Sequence, residues 1–508
     1  MRAGADHHTV VTDSGPVRGT VTDGLRITLG IPYAAPPFGA GRFRAPRPAE
    51  PWDEVRDCTR YGPVAPQSAE LPGSPVWHPD HEGVLTLNVW SPTESSAPLP
   101  VILWIHGGAY TFGSSAQPDY DGSALARAGT VVVTCNYRLG FEGFGHVPGF
   151  PDNRGLLDQI AALEWVRANI AAFGGDPENV TVAGQSAGGG SIASLMSSAR
   201  ADGLFRRAIA HSVPDAFFRP EFAERMTREV AEAAGIAPTA QGLLSATPQA
   251  LVDASDRVVA RYAGDPAAGP LHYDTVLYGP VLDGALLTRD PLDAPAAHVD
   301  LLVCHTTEEY WLMHRVGSMP SVTTDVGLDR FAADYGLPTS LVAAYRALMP
   351  DAPVLDVYLA LASDAVFAVP TARFAEAHAR TRAAAHARVG GGRTFVSRFD
   401  RRRTGPDGGS PVRAWHAADV PFALGTLDAT GVEFLTGGPV DADDHALSRR
   451  MVDAWAAFAA TGDPGWAPVT DPAAPTVHVW DVPKDRTEGP STTHALWHDV
   501  RMAPPSLP

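Results

Sequence analysis

One short stretch constrains what this chain can fold into more than any other feature. The pentapeptide Gly184-Gln185-Ser186-Ala187-Gly188 has the spacing Gly-x-Ser-x-Gly, and the β-branched, uncharged residues 179–183 before it predict a short buried strand. The small residues 189–198 that follow are compatible with a helix. A chain that turns sharply from strand to helix holds the residue at the apex in a strained conformation, which only small neighbours permit. The pattern therefore predicts an exposed Ser186 hydroxyl beside the backbone N–H groups of a helix N-terminus.

A second motif precedes this one in the chain. Residues 101–105 form a continuous apolar run of strand length that ends at His106-Gly107-Gly108-Ala109-Tyr110. Two glycines at a strand end let the backbone approach a ligand closely and direct its N–H groups inward. With the N–H of Ala187, the N–H groups of Gly107 and Gly108 would form a three-donor oxyanion hole. Such donors stabilise the charge that develops on a carbonyl oxygen when it becomes tetrahedral.

A serine at neutral pH is a weak nucleophile, so these motifs require a base and an acid that orients the base. A third apolar strand candidate, 299–304, is followed by 305–310, where the adjacent acids Glu308 and Glu309 stand just past the strand end. Further on, His416 lies alone in a loop before an apolar segment. The chain has 18 histidines, so the residues alone leave the identity of the base open.

Other segments repeat a known family's motifs in order and spacing. They are Gly15-Pro16-Val17-Arg18-Gly19, Gly30-Ile31-Pro32-Tyr33-Ala34, Pro36-Pro37, Arg42-Phe43, Pro51-Trp52, Leu87-Asn88-Val89-Trp90, Asn136-Tyr137-Arg138-Leu139-Gly140, Gly155-Leu156-Leu157-Asp158-Gln159, Trp165-Val166, Phe173-Gly174-Gly175-Asp176-Pro177, Phe458 and Thr461-Gly462-Asp463-Pro464. With the two glycine motifs, they resemble the type-B carboxylesterase and cholinesterase family of α/β-hydrolases. The resemblance runs from about residue 11 to about residue 465.

The resemblance implies a role for each candidate residue. It makes Ser186 the nucleophile, Gly107, Gly108 and Ala187 the oxyanion donors, His416 the base and Glu309 the acid that orients it. The chain departs from the family beside that acid, because Tyr310 replaces the usual glycine, and a shifted register would favour Glu308. Asp283 is the remaining acid, and the resemblance gives it a role in a turn.

Three other departures concern the surroundings of the site. Gln185 stands before the nucleophile, where the family usually has glutamate, and the loss of one charge is expected to alter local polarity without removing a proton-transfer step. The segment 82–85 lacks the family's cysteine. The segment 210–215 lacks the small Ser-Gly pair of relatives, so the family's acyl-pocket geometry does not carry over.

Composition limits the partners and the compartment. The formal charge is −18 with no basic stripe, so we expect neither nucleic acid nor a membrane surface as partner. Three cysteines give no even disulfide framework, and no amino-terminal segment reads as a signal peptide, so we expect a cytoplasmic protein.

We find no run that approaches bilayer-spanning length and no H-E-x-x-H or other metal-ligand spacing, and expect no cofactor. The basic run 401–403 is interpreted as solvated loop charge.

The expected fold class is α/β. It is an α/β-hydrolase fold with a mostly parallel central sheet flanked by helices, a small N-terminal antiparallel sheet and helical insertions over the pocket. The stretches 222–234, 248–262, 329–348 and 370–388 read as those helices, and 394–399 as a strand. We expect residues 1–508 to form a single domain, since this fold grows by insertions.

The expected function is that of a serine carboxylic ester hydrolase, which cleaves small or medium esters through an acyl-enzyme on Ser186. The small-molecule ester is the expected partner, and the protein is expected to be a monomer or homodimer. An acyltransferase that uses the same acyl-enzyme is the main alternative, because acylation needs the same groups. A catalytically inactive binding relative is a further alternative, which the filled site positions disfavour.

Overall fold

The computed structural model describes residues 6–68, 76–385, 391–402 and 412–500. Thirteen strands occur in these residues and form one sheet. The strands are β1 (Asp6–Thr12), β2 (Gly15–Thr22), β3 (Leu25–Pro32), β4 (Arg56–Asp57), β5 (Thr86–Pro92), β6 (Leu99–Ile105), β7 (Val131–Cys135), β8 (Gly175–Gln185), β9 (Arg207–His211), β10 (Asp300–Thr306), β11 (Thr394–Phe399), β12 (Val477–Trp480) and β13 (Arg486–Glu488).

The centre of the sheet is parallel and its edges are antiparallel. The strand order is β1-β2-β3-β5-β7-β6-β8-β9-β10-β11-β12-β13, with β4 paired to β2. The strands from β7 through β12 pair in parallel. Strands β1, β2 and β3 pair antiparallel and join the large sheet through β5, so the expected N-terminal antiparallel sheet is an extension of the central one.

Helices flank the sheet and fill the long connections between strands. They are α1 (Ser123–Arg127), α2 (Gly140–Phe144), α3 (Arg154–Asn169), α4 (Ala187–Ser197), α5 (Pro220–Ala233), α6 (Ala240–Ser245), α7 (Pro248–Gly264), α8 (Pro270–Tyr273), α9 (Trp311–Val316), α10 (Asp325–Asp334), α11 (Thr339–Leu348), α12 (Val354–Ser363), α13 (Val369–Ala385), α14 (Val420–Leu424), α15 (Glu433–Thr436) and α16 (Ala442–Thr461). A π-helical turn, Asp364–Ala368, joins α12 to α13.

The strand and helix predictions hold with changed bounds. The predicted strands 101–105, 179–183 and 299–304 lie in or overlap β6, β8 and β10, and 394–399 is β11. The predicted helix 329–348 is wrong in extent, because Gly336 (φ +66°) and Pro338 divide it into α10 and α11. Residues 386–388 of the predicted helix 370–388 lie outside the described residues.

Side chains alternate between two cores on the faces of the sheet. In β6, Val101, Leu103 and Ile105 pack into one core, and Ile102 and Trp104 pack into the other. This period of two follows from the pleat, and burial on both faces explains why the run reads as continuously apolar. A third core lies within the helical region between α8 and α13.

Two buried ion pairs connect segments that are distant in sequence. Arg138 and Asp158 are both fully buried, and the Arg138 Nη2 lies 2.7 Å from Asp158 Oδ1. Arg401 is also buried, and its Nη2 lies 2.6 Å from Asp444 Oδ2. The interpretation of 401–403 as solvated charge is therefore wrong for Arg401, because an acid on α16 compensates its burial; residue 403 lies outside the described residues.

One helical run is long and apolar enough to cross a bilayer by length and composition. It spans Val354–Thr381, and 61% of its most apolar window is buried within the fold. The statement that no run approaches spanning length is wrong for this segment. Core helices of compact folds meet the same criterion, since burial on all sides requires an apolar surface all round.

Candidate active site

Ser186 occupies the sharp turn between β8 and α4. Its φ is +58° and its ψ is −124°, a conformation that costs a residue with a side chain about 1–3 kcal/mol. The half-buried serine precedes the first residue of the helix, Ala187, whose N–H has no partner within the helix. The predicted nucleophile elbow is present, with the serine at the N-terminus of α4.

The glycines around Ser186 are required by close backbone contacts. A Cβ on Gly184 would lie 2.6 Å from the carbonyl carbon of Gly188, and a Cβ on Gly188 would lie 2.1 Å from the carbonyl oxygen of Ile105. A Cβ on Gly189 would lie 2.6 Å from the carbonyl oxygen of His211. Three strand ends therefore meet within backbone contact distance at this turn.

The Gly107-Gly108 turn lies against the elbow because β6 and β8 are neighbours, with Ile105 opposite Gly184. A Cβ on Gly107 would lie 3.1 Å from the Cβ of Ser186. The Nδ1 of His106 lies 2.8 Å from the Gly107 carbonyl oxygen. In a trans peptide the N–H bond points opposite to the C=O bond. Because the Gly107 carbonyl points toward the His106 ring, the N–H of Gly108 faces away from that ring. Burial lowers the pKa of His106 to about 4, which keeps this ring neutral at pH 7.

Glu309 and His416 are hydrogen-bonded to each other. The Nδ1 of His416 lies 2.6 Å from Oε2 of Glu309, and the backbone N–H of His416 donates to the Glu309 carbonyl. The other carboxylate oxygen, Oε1, accepts from the Thr306 N–H at 2.8 Å and from the Ser212 hydroxyl at 2.7 Å. Glu309 is fully buried, so these donors replace the hydrogen bonds that its carboxylate would make to water.

Glu308 points elsewhere. Its Oε1 accepts from Arg413 at 2.6 Å and its Oε2 from the Ala414 N–H at 3.2 Å. Glu308 therefore holds the loop that carries His416, without a contact to the imidazole among its hydrogen bonds.

Asp283 caps a turn. Its Oδ1 accepts from the N–H groups of Ala285, Leu286 and Leu287, and its Oδ2 accepts from the Asn153 side chain at 3.0 Å. These bonds match the turn role that the resemblance implied.

Two further residues contact the imidazole, and only one of them, Gln185, holds a position that the resemblance placed near the histidine. The side-chain amide nitrogen of Gln185 lies 3.0 Å from Nε2 of His416. The ring of Phe367 lies 4.3 Å from the imidazole, centroid to centroid, at 32°. Gln185 stands out in the sequence because it replaces the family's usual glutamate. Nothing in the sequence around Phe367 marks that residue, which lies on the π-helical turn before α13.

A second buried histidine–carboxylate pair lies beneath the first. His211 Nδ1 is 2.5 Å from Asp419 Oδ2, and both side chains are buried. The Ser186 N–H donates to the His211 carbonyl, while Asp419 lies three residues after His416. The pair thus connects the nucleophile's turn to the loop of the base. Cys304 lies near it, and this group has ligand atoms within 4.8 Å of one another. The direct histidine–carboxylate hydrogen bond leaves no space for an ion between its two partners.

A cavity of about 330 Å³ opens beside Ser186. Its wall is mostly apolar, and parts of α8, α9, α13, the π-helical turn and the segment 214–219 before α5 contribute to it. An apolar cavity of this size with a few convergent polar groups is typical of small-molecule sites. Fold, elbow and cavity together define an α/β-hydrolase built for a serine nucleophile.

Comparison with known proteins agrees with that class. The model of the carboxylesterase family matches residues 6–488. Para-nitrobenzyl esterase of Bacillus subtilis (strain 168) is 36% identical over 487 residues, which cover 92% of this chain and 92% of that protein. Phenmedipham hydrolase of Pseudarthrobacter oxydans is 33% identical, covering 89% of this chain and 90% of that protein. A solved para-nitrobenzyl (PNB) esterase structure superposes with a TM-score of 0.82 at 32% identity, covering 96% of this chain and 99% of that one.

The chain therefore belongs to the carboxylesterase family, as its resemblance implied, and is an enzyme that hydrolyses carboxylic esters.

Proposed function

We propose that the protein hydrolyses small or medium carboxylic esters through an acyl-enzyme on Ser186, with His416 as general base and Glu309 as the orienting acid. The observation that carries the proposal is the 2.6 Å hydrogen bond between Glu309 and Nδ1 of His416. That bond fixes the tautomer in which Nε2 carries the lone pair, which faces the Gln185 amide in this structure and accepts a proton in the proposed reaction.

The proposed reaction has two halves. Ser186 Oγ attacks the ester carbonyl while Nε2 of His416 takes its proton, and the N–H groups of Gly107, Gly108 and Ala187 receive the oxyanion. The imidazolium then protonates the departing alcohol, leaving the acyl group on Ser186. Water attacks this acyl-enzyme as His416 accepts its proton, and the carboxylic acid leaves as the serine is restored.

The size of the cavity supports small or medium substrates. A volume of about 330 Å³ is at the lower end of the range for small-molecule pockets. The relatives' names, para-nitrobenzyl esterase and phenmedipham hydrolase, support substrates with an aromatic part. Aromatic rings in the cavity wall, such as Phe217 and Phe218, would pack against such a group.

We also propose a cytoplasmic monomer or homodimer. All three cysteines, Cys58, Cys135 and Cys304, are buried and free. Burial raises the pKa of Cys58 and Cys135 to about 12, so these thiols stay protonated. Unpaired, unreactive cysteines support a reducing compartment. Cell fractionation and light scattering of the purified protein test the two parts of this proposal.

The test of function is release of 4-nitrophenol from 4-nitrophenyl butanoate by the purified protein. We expect steady turnover in buffer alone. Turnover that begins only when an alcohol or amine acceptor is added would identify an acyltransferase. No release of 4-nitrophenol under either condition would overturn the proposal and favour an inactive binding relative.

A further inference from the structure

The cavity beside Ser186 contains a carboxylate that the proposed reaction does not use. Asp274 lines the cavity directly after α8 and is half-buried. Tyr310, the residue that follows Glu309, lines the same cavity, and its phenol interacts electrostatically with this carboxylate. The replacement of the family's glycine by Tyr310 thus places a phenol beside an acid in the substrate cavity.

The surroundings of this carboxylate favour a positive charge. Burial raises the pKa of Asp274, because the ionised form has lost water, and a bound cation would restore a partner for it. Aromatic residues line the same cavity, namely Phe217, Phe218, Tyr310, Tyr335 and Phe367. Aromatic faces attract cations, by about 0.5–2 kcal/mol for each well-placed ring.

The other charged groups of the cavity do not cancel this preference. Arg373 is surrounded by three acids, with its guanidinium nitrogens 3.5 Å from Asp215, 2.9 Å from Asp290 and 2.5 Å from Asp293. Its charge is therefore more than neutralised by its own partners. Arg219 also lines the cavity, but it is exposed, and solvent and salt screen its charge.

We propose that Asp274, in the aromatic-lined cavity beside Ser186, binds a cationic group of the substrate, so that the enzyme selects esters carrying an ammonium group in the acyl or the alcohol part. The proposal rests on the proposed esterase function. Asp274 acts in recognition, and the bond-making steps stay with Ser186 and His416.

The experiment compares two isosteric pairs of esters. In the acyl part, ethyl 3-aminopropanoate is compared with ethyl butanoate. In the alcohol part, 3-(trimethylammonio)propyl acetate is compared with 4,4-dimethylpentyl acetate. The quantity measured is the ratio of kcat/KM for the cationic ester to that for its neutral partner, at pH 7.5.

In at least one pair, we expect Asp274→Asn to lower this ratio about tenfold or more, the factor that corresponds to loss of one partly desolvated charge contact. Asp290→Asn is the matched control, because it removes an acid of the same cavity whose carboxylate is ion-paired with Arg373. We expect it to change the ratio less than about twofold. An unchanged ratio in Asp274→Asn for both pairs, or an equal fall in both variants, would overturn the proposal.

Two further results separate this inference from the proposed function. A wild-type enzyme that hydrolyses the neutral esters but rejects both cationic ones overturns the inference alone, whereas loss of all ester hydrolysis overturns both. If Asp274→Asn does not fold, inhibition of the wild-type enzyme answers the same question. With 4-nitrophenyl butanoate as substrate, n-butylammonium should then inhibit at least about tenfold more strongly than its neutral isostere n-pentane. Equal inhibition would overturn the inference.

Discussion

Single residues decide which acid contacts His416. Glu309 is buried and accepts hydrogen bonds from His416, Thr306 and Ser212, whereas Glu308 accepts from Arg413. Both glutamates thus have defined partners, and only the partners of Glu309 include the imidazole of His416.

We expect Glu309→Gln to lose about 10,000-fold in kcat, because the amide favours the wrong tautomer of His416, as the corresponding aspartate-to-asparagine change does in the serine-protease example. Glu308→Gln should lose less than about tenfold, since it loosens the loop without touching the ring. The measurement is kcat with 4-nitrophenyl butanoate, with circular dichroism as the folding control. A reversed order would assign the acid to Glu308, and two active variants would direct attention to Asp283.

Gln185 allows a test through pH. Its amide lies 3.0 Å from Nε2 of His416, so Gln185→Glu would place a carboxylate beside the imidazole. An adjacent negative charge stabilises the imidazolium, which cannot accept the serine's proton. The rise of kcat/KM with pH should therefore move to higher pH in Gln185→Glu. An unmoved profile would mean that Gln185 does not contact the base during turnover.

The sequence predicts the roles of some site residues more directly than those of others. Ser186, Gly107 and Gly108 belong to local motifs whose geometry follows from neighbouring residues. Glu309 and His416 are 107 positions apart, and their contact required the resemblance. The contact of Phe367 with the imidazole depends on how a distant helix packs, which no local pattern encodes.

At the level of elements, the Gly107-Gly108 turn is the one whose backbone N–H groups we propose as oxyanion donors. Gly108 has φ +106°, and a Cβ there would lie 2.0 Å from the Phe112 carbonyl oxygen. Any side chain would therefore shift the turn and its N–H groups relative to Ser186.

We expect Gly108→Ala to lose at least about 100-fold in kcat, the usual effect of losing one oxyanion donor. Gly129→Ala is the matched control, because Gly129 also has positive φ (+92°) but has open space around it, away from the site. Both variants should lower the melting temperature, while only the first should lower kcat. Wild-type kcat in a folded Gly108→Ala sample would remove this turn from the oxyanion hole.

Element boundaries show where local patterns fail. Apolar runs predict strands because a run buried on both faces is apolar throughout, as in residues 101–105 of β6. The helix 329–348 was drawn too long, because its apolar spacing continues across Gly336 and Pro338 while the backbone does not. The turn Asp364–Ala368 shows no glycine or proline and reads as ordinary helix.

Across the whole molecule, buried ion pairs hold the segments around the site together. Arg138 follows β7, and its guanidinium donates hydrogen bonds to the Asp158 carboxylate on α3. The same guanidinium also donates to the Arg44 carbonyl at 2.7 Å. Both residues belong to the motifs that carried the family resemblance. The sequence shows Arg138 and Asp158 as members of ordered family motifs, but only the structure shows that the two residues form an ion pair.

We expect Asp158→Asn to lower the free energy of unfolding by about 3–5 kcal/mol, because it leaves the buried charge of Arg138 without its partner. Asp57→Asn is the control, since the Arg18–Asp57 pair is exposed, with side chains 44% and 57% accessible. It should leave the denaturation midpoint unchanged. Equal denaturation midpoints for Asp158→Asn and Asp57→Asn would show that the charge of Arg138 is solvated or is compensated by another group.

The central claim is that Ser186 carries the acyl group, and its direct test is the turnover of Ser186→Ala. The substitution removes one oxygen from a half-buried position, so the variant should fold normally and lose on the order of a million-fold in kcat with 4-nitrophenyl butanoate. A well-folded Ser186→Ala sample that retains more than a few per cent of wild-type turnover would contradict the account.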